Sequence, residues 1–200
     1  MKFIIATNNP KKLVELERIL SPLGINAVTA KQEGLSLDEI EENGTTFREN
    51  SFIKASAACQ KSGLPAIADD SGICVDALDG APGIYSARFG GENATDTDKN
   101  YLILQKLEGC KNRNAHYTCA ITCVFPNDDM IQVEEYCFGE IALKPEGTGG
   151  FGYDPIFLFD GESFGNYSSE AKDKVSHRGK ALRAFKKELK KYMEEKHANE

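Results

Sequence analysis

Two aspartates stand side by side, Asp69 and Asp70, in the run Ala68-Asp69-Asp70-Ser71-Gly72 that follows the apolar stretch Pro65-Ala66-Ile67-Ala68. Adjacent carboxylates repel each other and stay ionised together only beside a cation or hydrogen-bond donors. A hard divalent ion such as Mg²⁺ takes oxygen ligands of this kind and completes its shell with water and substrate phosphates. The pattern predicts a strand running up to Asp69 and ending there in an acidic corner. Neighbouring strand residues face opposite ways, so the two carboxylates are expected to divide the work rather than chelate as a pair. The plain alternative is an acidic turn capped by Asp70.

Three further segments carry groups of complementary chemistry. Thr7-Asn8-Asn9-Pro10-Lys11-Lys12 joins an apolar run to a helical pattern. A helix N-terminus presents unpaired N–H groups and positive partial charge, which favour a phosphate. The glycines and the Lys-Ser/Thr ending of a Walker loop are absent, and in isolation the segment is an ordinary polar turn. Gly147-Thr148-Gly149-Gly150-Phe151-Gly152-Tyr153-Asp154-Pro155 interleaves two aromatics with four glycines. A purine stacked on Phe151 or Tyr153 would gain ~1–3 kcal/mol, as single-strand bases do; otherwise this is a flexible loop. Lys172 precedes Ser176-His177-Arg178-Gly179 at the start of a last helix, where cations could grip a phosphate or a base carbonyl. Taken alone it is a solvated basic face, continued by Lys186, Lys187, Lys190 and Lys191.

The formal net charge of −7 argues against a general nucleic-acid binder, which needs a basic face to release counterions. A small anion needs only a few well-aimed cations in a pocket, so an anionic substrate is compatible with it. Apolar runs such as Pro155-Ile156-Phe157-Leu158-Phe159 are too short to span a bilayer, and the N-terminus lacks the form of a signal peptide. A cytoplasmic protein without a membrane partner is expected. The cysteines, Cys59, Cys74, Cys110, Cys119, Cys123 and Cys137, form no Cys-x-x-Cys pair, and no zinc site is predicted. They read as free thiols in a reducing compartment.

The elements that must position these groups follow from periodicity. Residues 3–6 and 25–29 read as strands, and 11–20 as a helix with Leu13, Leu16, Ile19 and Leu20 on one face. Residues 31–44 form an acidic loop with Glu39, Glu41 and Glu42. Thr46-Phe47-Arg48-Glu49 is a capping box, opening an alanine-rich helix to about Lys61. Residues 96–107 are helical, 116–125 alternate as a strand, and 130–138 return as its partner across Asn127-Asp128-Asp129. Residues 156–159 are strand-like and 176–197 a charged amphipathic helix. Intermixed helices and strands predict one α/β or α+β domain over 1–200, with a mixed central sheet flanked by helices.

The four segments, together with Glu42-Asn43-Gly44-Thr45-Thr46-Phe47-Arg48-Glu49-Asn50 and Gly80-Ala81-Pro82-Gly83-Ile84-Tyr85-Ser86-Ala87-Arg88, resemble the Ham1/RdgB family of noncanonical purine nucleoside triphosphate pyrophosphatases. The match runs in order through nearly the whole chain. The resemblance implies two lobes around a nucleotide-binding cleft and a homodimer. It implies hydrolysis of dITP, ITP and XTP between the α and β phosphorus atoms. Residue by residue, it implies Asp70 as general base and Mg²⁺ ligand, Glu42 as a second ligand, and Asp69 as an auxiliary carboxylate. Thr7, Asn8, Asn9, Pro10, Lys11 and Lys12, with Lys172, would hold the triphosphate. Ser71, Phe151, Gly152, Tyr153, Asp154, His177 and Arg178 would position the nucleoside. Asn8 replaces a residue more often small in the family, and Asn166 one more often glutamate. A pyrophosphatase for a modified pyrimidine nucleotide is the rival enzyme, and a sensor without turnover the rival from another class.

Overall fold

The computed structural model describes residues 2–7, 9–21, 24–37, 40–91 and 93–198, without the side chains of Lys11, Glu15, Ile19 and His197. Its strands form one mixed seven-stranded sheet in the order β2-β1-β3-β4-β5-β6-β7, flanked by helices, as the intermixed pattern predicted. The chain gathers into two compact units, residues Met1–Asp70, Cys119–Glu134 and Ala181–Glu200 in the first and Ser71–Thr118 and Glu135–Lys180 in the second.

In the first unit β1 (Lys2–Ile5) is apolar on both faces, the mark of a central strand. It runs parallel to β2 (Asn26–Thr29) on one side and to β3 (Ala66–Val75) on the other. On one face Phe3, Ile5 and Ile67 meet Leu16 and Leu20 of α1 (Pro10–Leu20), with Ala181, Leu182, Phe185 and Leu189 of α5 (His177–Ala198). Fully burying a large apolar side chain here contributes roughly 1.5–3 kcal/mol. On the other face Ile4, Ala6, Ala66 and Ala68 meet Ala55, Ala58 and Cys59 of α2 (Phe47–Ser62), whose small residues allow close approach. Thr46 caps α2 by accepting from the Glu49 N–H. The capping box is shifted, however: the Glu49 carboxylate takes the N–H and hydroxyl of Thr45, one residue before the cap.

In the second unit Ile73 and Val75 of β3 pack with Tyr117 of β4 (Asn114–Val124) and Cys137 and Ile141 of β5 (Met130–Ile141). Ile103 and Leu107 from α3 (Asp96–Lys106) and its end join them, as does Phe157 of β6 (Phe157–Phe159). The two-residue β7 (Glu162–Ser163) closes the sheet order, and α4 (Ser169–Val175) precedes α5. The sequence pattern missed α4, because seven mostly polar residues carry too few apolar positions to show a helical period. All six cysteines are thiols; burial pushes that of Cys137 up to about 11. Among the described residues no helix is long and apolar enough to cross a membrane.

A titratable clip joins the β4–β5 turn to α5 within the first unit. The Asp129 carboxylate accepts from Asn127 Nδ2 at 2.7 Å and the Tyr192 hydroxyl at 2.8 Å, and pairs with Lys196 Nζ at 2.8 Å. Lys196 first, then Tyr192 and Asn127, hold this carboxyl at about 2. A depressed carboxyl contributes stability above its unfolded value and loses it as pH falls through the folded one. Wild-type protein is therefore expected to melt above Asp129→Ala at neutral pH, with the gap gone by pH about 2. Thermal melts of both proteins across that range check it, and a gap independent of pH would refute it.

Candidate active site

β1 lies between β2 and β3, so the chain leaves its carboxyl end in both directions, the place where open α/β sheets bind ligands. Thr7 follows β1 there, and α1 begins at Pro10, where a missing N–H costs nothing. Asn9 Oδ1 accepts from the Lys12 N–H at 3.4 Å, and Thr7 Oγ1 from the Asn9 N–H at 3.2 Å. The helix is thus opened by the residues expected to meet phosphate. Asn8 lies outside the described residues, as does the side chain of Lys11. Lys12 turns back and pairs through Nζ with Asp69 Oδ2 at 2.8 Å, and that carboxylate is 1% exposed.

The corner expected at residues 69–70 does not exist. β3 runs unbroken through Asp69, Asp70, Ser71 and Gly72 to Val75, so both carboxylates are mid-strand and buried. The expected alternation is nonetheless visible in their partners. Asp69 meets Lys12 of α1, whereas Asp70 Oδ1 lies 3.5 Å from Lys54 Nζ of α2. Lys54 also reaches Glu42 Oε2 at 3.0 Å, and so bridges the two residues matched to metal ligands. The loop bearing Glu42 is anchored where Asn50 Oδ1, on α2, accepts from the Gly44 N–H at 2.9 Å.

Burial raises the Asp70 carboxyl above its ordinary range; Lys54 and Lys12 oppose this, while Glu42 and Asp69 add to it. Lys54 behaves conversely: burial alone would lower its ammonium, but Asp70, Asp69 and Glu42 hold it above its usual value. Three carboxylates and two lysines thus share one partly dry cluster.

Asp70 Oδ2 is buried without a hydrogen-bond partner among the described residues. A hard cation would satisfy that oxygen, and Glu42 offers a second carboxylate through the shared Lys54. No group of three or more His, Cys, Asp or Glu among the described residues forms a closed metal cage. Mg²⁺ is commonly held by one or two carboxylates with water and phosphate, the donors that Asp70 and Glu42 offer. The residues present fit such an ion.

The second unit holds the remaining candidates. Arg178 Nη2 donates to Ser71 Oγ at 2.9 Å, and its guanidinium lies 5.6 Å from the Phe151 ring centre. His177 is buried and stacks on Tyr117, with ring centres 4.4 Å apart and planes within 5°. Burial, with the Asp154 charge beside it, holds the Tyr117 phenol well above its usual range, so it stays neutral. Ser176 Oγ accepts from the Gly179 N–H, which fixes the first turn of α5 and with it His177 and Arg178.

Lys172 Nζ contacts Asp154 Oδ2 at 2.5 Å, both side chains being nearly buried, and lies 4.8 Å from the Phe151 ring centre. Its partners are therefore those of the aromatic loop rather than a phosphate turn. Asp154 Oδ2 also accepts from the Phe151 N–H at 2.8 Å. Gly150 has φ +72°, and an added Cβ would sit 2.1 Å from Asp154 Oδ2, so the loop can fold onto its own aspartate only with glycine there. Of the two aromatics, Tyr153 is a core residue, its hydroxyl donating to the Ser86 carbonyl at 2.7 Å. Phe151 is half-buried, with Lys172 and Arg178 over its ring.

Sequence reasoning missed Lys54 and Tyr117. The buried residues Phe47, Asn50, Ser51, Ala55 and Ala58 mark the inward stripe of α2, and Lys54 adjoins it four residues after Asn50. A cation on the inner face of an alanine-rich helix was the available signal. Tyr117 lies in the alternating run 116–125, and nothing in that alternation predicts its stacking on His177.

Fold and side chains together define an α/β protein whose first unit holds a buried lysine–carboxylate cluster and whose second unit holds a cation-backed aromatic loop. The chain belongs to the Ham1 family, whose model matches residues 3–188. It is 44% identical over 191 residues to a dITP/XTP pyrophosphatase of an Exiguobacterium species, covering 94% of this chain and 97% of the relative. A dITP/XTP pyrophosphatase of Nitrosomonas europaea is 45% identical over 185 residues, 90% of each chain. The structure of a HAM1 protein from Coxiella burnetii superposes with a TM-score of 0.88 at 36% identity, covering 96% of this chain and 99% of that one.

Proposed function

We propose that the chain is a nucleoside triphosphate pyrophosphohydrolase that converts dITP, XTP and ITP to the monophosphate and pyrophosphate. Mg²⁺ is the proposed cofactor and a cytoplasmic homodimer the proposed form. The observation that carries this reading is Lys54 bridging Glu42 and Asp70, with Lys12 on Asp69. The names of the relatives support the substrate class.

Phosphoryl chemistry asks of a protein mainly positioning and charge stabilisation. Lys12, Lys54 and the amino end of α1 would bind the triphosphate and offset charge gathering on its oxygens. Glu42 and Asp70 would hold the divalent ion, which when bound neutralises phosphate charge and acidifies nearby water. Asp70, buried beside Lys54, would take a proton from the attacking water.

His177 and Arg178, with Ser71 and Phe151, would hold the nucleoside. Hypoxanthine and xanthine carry a carbonyl at position six, whereas adenine presents an amino group there. Protein donors aimed at that position pair with the first and face a donor in the second. One such mismatch costs ~1–3 kcal/mol, or roughly ten- to a hundredfold in rate.

Pyrophosphate release measured over dITP, XTP, ITP, dATP, dGTP and modified pyrimidine triphosphates, with Mg²⁺ and with EDTA, tests the reading. The expected result is cation-dependent turnover with dITP, XTP and ITP far ahead of dATP. Equal kcat/KM for dITP and dATP would overturn the base assignment, and absence of pyrophosphate would overturn the reaction.

A further inference from the structure

We infer that Asp96 and Asn100 of α3 are positioning residues for base recognition, acting through the Gly152 peptide. The inference rests on the nucleotide reading above and deepens it, since neither residue touches the groups proposed to meet substrate except through this loop. Gly152 stands between Phe151 and Tyr153, and both its polar backbone groups go to one face of α3. Its N–H donates to Asp96 Oδ2 at 2.8 Å, and its carbonyl accepts from Asn100 Nδ2 at 3.1 Å. Asp96 and Asn100 are four residues apart, one helical turn, so a single rigid helix sets both bonds. Gly152 has φ +62° and open space around an added Cβ, so conformation rather than room demands glycine.

The clamp is itself supported. Lys99 Nζ pairs with the other Asp96 oxygen at 2.8 Å, and its side chain is only 11% exposed. The same ammonium lies 3.5 Å from the Ala87 carbonyl and 6.0 Å from the Tyr153 ring centre. Asn100 is 4% exposed. Its amide orientation is forced, because a flip would set two acceptors against each other at Gly152. In that orientation Oδ1 has no hydrogen-bond partner among the described residues. A buried acceptor without a donor is a burden an apolar core residue would avoid. What the side chain contributes in return is the bond to Gly152.

The loop is therefore held at both ends by different devices. Lys172 and Asp154 fix its later half through an ion pair, and α3 fixes the peptide just after Phe151 through one bond to a carboxylate and one from an amide. Without the clamp the Phe151 ring would lose its fixed height against the base, while the Lys12–Asp69 and Lys54–Asp70 contacts would remain. Base choice should suffer more than hydrolysis.

The test compares Asp96→Ala, Asn100→Ala, the conservative Asp96→Asn, and Asp98→Ala. Asp98 completes the capping box of α3 with Thr95 without contacting Gly152, so its variant weakens the helix and spares the clamp. Asp96→Ala and Asn100→Ala are expected to raise KM for dITP and to cut the dITP-over-dATP preference by about tenfold or more, with kcat nearly kept. Asp96→Asn should recover most of the preference, Asp98→Ala should lower Tm without altering it, and exchange of the Gly152 amide should quicken in Asp96→Ala. Preference and exchange unchanged in both alanine variants would overturn the inference, as would an equal loss in Asp98→Ala. If the wild-type protein itself does not turn over dITP, the parent reading has failed, and the Gly152 exchange rate alone decides whether the clamp exists.

Discussion

Asp70→Asn is expected to lower kcat by at least ~10²-fold, the lower end of what a general base contributes, while leaving the protein as stable as wild type or more so. The two halves of this result have one cause. Burial raises the Asp70 carboxyl despite Lys54 and Lys12, so the ionised form is held at a cost to the fold. A group raised in the folded state favours folding below its unfolded value and ceases to do so as pH rises through the folded one. At neutral pH the wild-type carboxylate is therefore a burden that the neutral amide removes, and the gap in Tm should close as pH falls through the carboxylate range. The same ionised form is the active base, so wild-type turnover should fall as acidification protonates it. Turnover of Asp70→Asn within tenfold of wild type would remove Asp70 from the proposed mechanism. A Tm several degrees lower would show that its ion pair outweighs its desolvation.

The second large effect belongs to the loop. Asp154→Asn would leave the Lys172 ammonium nearly buried without its counter-charge. Breaking a buried pair from one side costs about 3–5 kcal/mol, which for a chain of this size lowers Tm by roughly 6–20 °C. The amide can still accept from the Phe151 N–H and bond the Tyr117 hydroxyl that Asp154 also meets, so most of the loss is attributable to charge. Adding Lys172→Met should restore most of the stability, because the uncompensated charge is then gone, but not the KM for dITP. Strict additivity of the two single changes in a double-mutant cycle would contradict this account of the pair.

Much of this was legible in the residues themselves. Phe3, Ile4 and Ile5 announce a central strand, Pro10 the first residue of α1, and Thr46 the cap of α2. What failed did so where local signals yield to the sheet. Asp69-Asp70-Ser71-Gly72 has the composition of a turn, yet the ladder carries β3 straight through it, because Lys12 and Lys54 from two helices supply the charge the carboxylates need. Glu49 takes the N–H and hydroxyl of Thr45, one residue before the cap, which the spacing alone does not show. Of Phe151 and Tyr153, either of which could stack on a purine by sequence, Tyr153 gives its hydroxyl to the Ser86 carbonyl and packs into the core. Lys54 went unnoticed because its importance lies in carboxylates far off in sequence.

On the proposed function, a divalent cation and the polyphosphate tail meet on the Glu42, Lys54 and Asp70 cluster. Calorimetric titration of an α,β-methylene analogue of dITP, with and without Mg²⁺, into wild-type protein and a Glu42→Gln/Asp70→Asn variant tests it directly. Mg²⁺ should tighten binding to the wild type markedly and leave the variant nearly unaffected. Equal tightening in both proteins, or none in the wild type, would contradict the account.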